Sequence, residues 1–145
     1  MAEKEFEALK LDVLELIDMT SSVKLWLQMN VPRIEDGNNF GVSIQTETVS
    51  ELARIEDSAL MTVENWSKFL MVRSKIVSKV CKYADQEPAR LSYCRTLAAL
   101  DEKQLRSVWI GWLDLRNNYA VIWDLLVKNL EKLLHPRSSN TDTMY

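Results

Sequence analysis

Apolar residues recur along most of this chain at steps of three and four, the period of a helix with one buried face. Phe6, Leu9, Val13, Leu16, Thr20, Val23 and Leu27 keep that step unbroken, with Thr20 the one polar member. Leu14, Ile17 and Trp26 widen the face beyond a two-stranded seam, which suits a bundle. The spacing predicts a first helix over 5–29, ended by Asn30 and Pro32. A second is predicted over 45–83. There Ala59, Val63, Trp66, Leu70, Val77 and Val80 form a stripe interrupted by Arg73, flanked by Ile55, Phe69 and Ile76. Ser43 or Thr46 is placed to cap it. A third is predicted over 102–134 from Leu105, Val108, Trp112, Leu115, Tyr119, Ile122, Leu126, Leu130 and Leu133. Asp101 and Gln104 make a capping box at its start, with Leu100 and Leu105 as a hydrophobic staple. Residues 84–100 read as a connection in which Pro88 can open a short helical turn. The expected fold is all-α, with long antiparallel helices of the four-helix-bundle type. Three helices are present, in one domain over 1–145.

Composition narrows the function classes. With 145 residues, 47% hydrophobic, the chain can bury a core, and disorder is not expected. A net charge of −3 gives no basic field for nucleic acid. No apolar run approaches the roughly 18 residues that span a bilayer, and the charged first residues are no secretory signal. Cys81 and Cys94 have neither pairing nor metal spacing and read as reduced thiols of a nuclear or cytoplasmic protein. No catalytic constellation, metal set or cofactor motif is visible, so an enzyme is not expected. The lone histidine, His135, closes a helix, where its charge helps the dipole. Cys81 follows Val80 on an apolar face and reads as packing. The five tryptophans all fall in predicted helices, as core or interface residues.

The break between the first two helices holds two of the three glycines. It reads PRIEDGNNFGVS, Pro32 to Ser43. Gly37 and Gly41 take positive φ freely, and Asn38 and Asn39 tolerate it. The loop exceeds the about 2–8 residues that join packed helices, and it carries Arg33, Glu35, Asp36 and Phe40. A solvated turn accounts for it, and so does a functional loop on a rigid scaffold. Lys75, Lys79 and Lys82 close the second helix, where they suit its dipole; a charged lining is the alternative.

The run from Pro32 to Val42 resembles the activation loop of the 11S regulators, ring-shaped activators of the 20S proteasome. The similarity continues through Glu47-Thr48-Val49, Ser78 to Tyr83, Asp101-Glu102-Lys103 and Leu115 to Tyr119. The ending, Lys128 to Lys132 and Pro136 to Asn140, is most like the gamma-type members of the family. It covers nearly the whole chain, most loosely over the first twenty residues and 85–100. The family is built on four helices and three are expected here, so the resemblance implies an apolar face where the usual first helix would lie, covered by a neighbouring protomer or a separate chain, unless the chain is truncated. The resemblance implies activation of the 20S proteasome without ATP, by a homo-oligomeric, heptameric ring. It implies a tail, 135–145, whose Thr143, Met144 and Tyr145 dock between proteasome α subunits. It implies an activation loop, 32–43, in which Arg33, Glu35, Asp36, Gly37, Asn38, Asn39, Phe40 and Gly41 act on the gate. Lys75, Lys79 and Lys82 would face the channel of such a ring. The competing class is a helical oligomerisation module that opens nothing.

Overall fold

A computed structural model describes residues 2–137, with side chains from Lys4 onward. It has three helices: α1 Ala2–Asn30, α2 Phe40–Lys82 and α3 Glu87–Leu134. No strand occurs among the described residues. Among the described residues no helix is long and apolar enough to cross a membrane.

The all-α expectation holds, and the helix ends move outward. α2 starts at Phe40 rather than 45, because Asn39 is its N-cap: the Asn39 carbonyl accepts from the Ser43 amide at 2.9 Å. Ser43 and Thr46 do not cap. Their hydroxyls donate back to the carbonyls of Phe40 (2.7 Å) and Ser43 (2.9 Å) within the first turns. α3 starts at Glu87 rather than 102, so most of the expected connection 84–100 is helix. Pro88 is the second residue of α3, where a missing amide costs nothing. From Ala89 to Ile110 neither glycine nor proline interrupts the chain. The capping box at Asp101 is thus a local signal overridden by continuous helix. Asp101 instead receives Arg73, Nε to Oδ1 at 2.8 Å and Nη2 to Oδ2 at 3.1 Å, which explains the charge in the α2 stripe. The turn between α2 and α3 closes with the Gln86 amide on the Tyr83 carbonyl at 3.0 Å.

The helices pass through two compact units. One holds α1 up to Leu14 together with Ala59–Leu115. Its core is Phe6, Leu9 and Val13 of α1, Ala59, Trp66 and Phe69 of α2, and Val108 and Leu115 of α3. Phe6 stacks on Trp66 with ring centroids 3.9 Å apart, and Trp66 meets Phe69 at 5.1 Å. Gly111 lies against Leu9, so the glycine inside α3 marks a close helix approach. The other unit holds Glu15–Ser58 and the chain from Arg116 on. Leu16, Leu27, Leu52, Ile55, Ile122 and Leu133 are buried there, with Thr20, Gln45 and Thr48. Lys24 of α1 pairs with Glu56 of α2, both largely shielded.

Six of the seven predicted α1 seam positions are buried, and Val23 is half-buried. The wider face is not: Leu14 and Trp26 are exposed. Four of the five tryptophans are not core residues. Trp66 is buried and Trp112 half-buried, whereas Trp26, Trp109 and Trp123 stand exposed. Cys81 is exposed rather than packed, as is Cys94. Each unit therefore carries uncovered apolar surface. In the first it includes Leu105, Trp109 and Ile110; in the second, Met29, Trp123 and Val127.

Candidate functional site

The second unit gathers the loop, the end of α1, the start of α2 and the segment that leaves α3. Asn30 ends α1 by donating its side-chain amide to the Trp26 carbonyl at 2.7 Å. Pro32 then keeps Val31 out of the helical region. The chain reverses at Gly37 and Asn38, with φ of +83° and +47°. Glycine and asparagine are the residues that take this left-handed conformation at least cost. Asn39 closes the turn from its other side, donating Nδ2 to the Glu35 carbonyl at 3.0 Å.

The described part of the tail, Pro136 and Arg137, packs directly on this turn. Arg137 Nη2 donates to the Arg33 carbonyl at 2.6 Å and to Asn39 Oδ1 at 3.3 Å. Arg137 Nη1 stands 3.1 Å from Glu35 Oε2. Pro136 lies so close to Gly41 that a Cβ there would meet the Pro136 carbonyl oxygen at 2.0 Å. Beneath them Gln45 is fully buried. Its Nε2 donates to the Leu133 carbonyl at 2.9 Å and, at 3.4 Å, to that of Asn30. Both carbonyls belong to last helical turns, where no amide follows to satisfy them. One side chain of α2 thus ties the ends of α1 and α3 beside the loop.

The eight predicted loop residues come together, but Phe40 and Gly41 belong to the first turn of α2. So do Val42 and Ser43, so the expected loop 32–43 shrinks to 31–39. Ile34 is fully exposed and Phe40 is 71% exposed, and Arg33, Asp36, Gly37 and Asn38 face solvent beside them. Glu35 and Asn39 instead hold the turn. Lys75, Lys79 and Lys82 belong to the other unit and are exposed along α2, with Lys82 Nζ 5.7 Å from the Tyr83 ring. Thr143, Met144 and Tyr145 lie outside the described residues. No group of His, Cys, Asp and Glu among the described residues could hold a metal ion.

Gln45 and Arg137 are the site residues whose roles the sequence did not announce. Gln45 had a readable signal. Gly41, Gln45, Thr48, Leu52, Ile55 and Ala59 extend the α2 stripe backwards at steps of four and three. A polar residue in such a seam calls for a buried hydrogen-bond partner. Arg137 had no such signal, since its partners lie 98 and 104 residues away.

Among the described residues an all-helical scaffold presents an exposed, internally braced loop beside the exit of its tail. Residues 2–143 match the family described as proteasome activator PA28, C-terminal, and the chain belongs to that family. It is 44% identical over 139 residues to the human proteasome activator complex subunit 3, covering 96% of this chain and 53% of that protein. It is 36% identical over 132 residues to proteasome activator 28 of Dictyostelium discoideum, covering 91% and 57%. The crystal structure of the 11S subunit of the Plasmodium falciparum proteasome, PA28, superposes with a TM-score of 0.86 at 44% identity. That match covers 94% of this chain and 60% of the Plasmodium chain. The chain spans about half the length of the curated relatives it matches.

Proposed function

We propose that this chain activates the 20S proteasome without ATP and without catalysing hydrolysis itself. The tail, ending in Thr143, Met144 and Tyr145, docks between α subunits, and the loop tip moves the gate to its open arrangement. In thermodynamic terms the protein is a ligand that binds the open state better than the closed one. The observation that carries the reading is the loop itself, a turn with left-handed Gly37 and Asn38 at an exposed tip. A partner can reach that tip without meeting a helix. The names of the relatives support the proteasome as that partner.

Assembly into a ring, heptameric as in the family resemblance, is part of the proposal. The uncovered apolar surfaces support it, because patches of this kind on a stable protein are ordinarily covered by a partner. In such a ring Lys75, Lys79 and Lys82 face the channel. Several tails then act together, which raises avidity by about 10²–10⁴ with no new contact type.

The test is hydrolysis of a fluorogenic peptide by purified 20S proteasome with and without this chain, no nucleotide present. Deleting Met144 and Tyr145 should abolish both binding and stimulation. Asn38→Tyr should leave helicity, assembled mass and binding intact and abolish stimulation. An oligomer that binds no proteasome and changes no hydrolysis rate would leave only the structural module.

A further inference from the structure

We propose that Arg137 is a positioning residue that ties the exit of the C-terminal tail to the loop, so that tail root and loop tip move as one body. The inference rests on the reading of the loop as the gate contact and adds how the loop is held in register with the tail.

The guanidinium reaches the loop at three places. It binds the backbone of Arg33 near the start, the carboxylate of Glu35 in the middle and the side chain of Asn39 at the end. A planar fork of five donors serves several acceptors at once, which a single ammonium cannot. The Arg137 side chain is only 19% exposed although the loop around it faces solvent. The contact with Gly41 makes the tie two-sided: Pro136 rests on the first turn of α2 while Arg137 grips the loop leading into it. An exposed turn with few apolar contacts has little else to order it. Ordering it before contact lowers the entropy cost of pressing it on a partner. A tail held by a partner at its far end transmits that placement through Pro136 and Arg137 to the loop.

The experiment is Arg137→Ala, Arg137→Lys and Glu35→Ala in the full chain, with helicity and assembled mass checked first. Two readouts are taken. The first needs no proteasome: tryptic cleavage after Arg33, followed by the mass of the fragment that starts at Ile34. Losing one charge-assisted tie should raise that rate about tenfold in Arg137→Ala, because cleavage follows the population of the opened loop. The second is a titration of proteasome stimulation. Maximal stimulation should fall by up to about twofold, because the opened loop gains population at the expense of the competent one. The half-saturating concentration should stay within about threefold, since the tails carry the affinity. Arg137→Lys should recover part of both, and Arg137→Ala with Glu35→Ala together should be no worse than Arg137→Ala alone. Should Arg137→Ala fail to fold, Arg137→Lys and Glu35→Ala carry the comparison, with smaller changes of the same sign. Wild-type cleavage rates in the variants overturn the tie. Faster cleavage with undiminished maximal stimulation overturns the positioning role. A wild-type chain that stimulates nothing refutes the proposed function instead, and the tie then stands or falls on the cleavage rate alone.

Discussion

Gly41→Ala places a single methyl where the tail leaves the helical body. In most helix interiors that change stabilises by about 1 kcal/mol through propensity alone. Here the added Cβ would sit 2.0 Å from the Pro136 carbonyl oxygen and 2.6 Å from its carbonyl carbon and Cα. All three atoms are backbone, so no rotamer change relieves the overlap. To restore an ordinary 3.4 Å contact, Pro136 must retreat by about 1.4 Å. Arg137 follows it, and the 2.6 Å bond to the Arg33 carbonyl is lost at that displacement. Overpacking costs about 1–3 kcal/mol, and a hydrogen bond from a charged donor contributes about 1.5–3 kcal/mol where it is shielded. The pair with Glu35 adds little, because the Glu35 side chain is 66% exposed. Setting the propensity gain against these terms leaves a net loss of about 1.5–5 kcal/mol. For a chain of this length that lowers Tm by roughly 5–16 °C. The assay is thermal unfolding by circular dichroism, with Gly111→Ala as the internal comparison. At Gly111 the nearest atom is Leu9 Cδ2 at 2.7 Å, the free end of a side chain that can turn away. Gly111→Ala should therefore lie within about 1 kcal/mol of wild type. A Gly41→Ala protein that melts at or above the wild-type temperature refutes the packing of Pro136 on α2.

Three further substitutions test the interior. Gln45→Leu takes the donor away from the buried bond to the Leu133 carbonyl and from the carbonyl of exposed Asn30, partly offset by removing Gln45 Oε1, itself buried without a partner. A loss of about 1–3 kcal/mol is expected in urea unfolding, with an unchanged m-value; no change in midpoint would mean the amide is not the tie between the helix ends. Trp66→Ala removes a buried ring stacked on Phe6 and should cost about 3–5 kcal/mol, whereas half-buried Trp112→Ala should cost only about 1–2 kcal/mol. Equal melting temperatures for the two would contradict the burial pattern of the first unit.

The sequence by itself determined the three helices and the loop between the first two. It also determined most of the buried seam and the family. Helix bonds run from each residue to the one four before it, so period, glycine and proline are local signals that survive any packing. Phe6, Leu9, Val13, Leu16 and Leu27 were legible in that way, as were Gly37 and Asn38 at the tip. Tertiary structure decided the rest. The capping box at Asp101 promised a helix start, yet the carboxylate serves Arg73, twenty-eight residues earlier in the chain. Tryptophan's size promised burial, yet Trp109 and Trp123 are exposed, since burial depends on which faces of neighbouring helices meet. The site divides along the same line. The turn that forms its tip follows from φ preferences written into Gly37 and Asn38. What braces the tip is Arg137, brought 104 residues back along the chain to Arg33 by helix packing, a contact that no local period encodes.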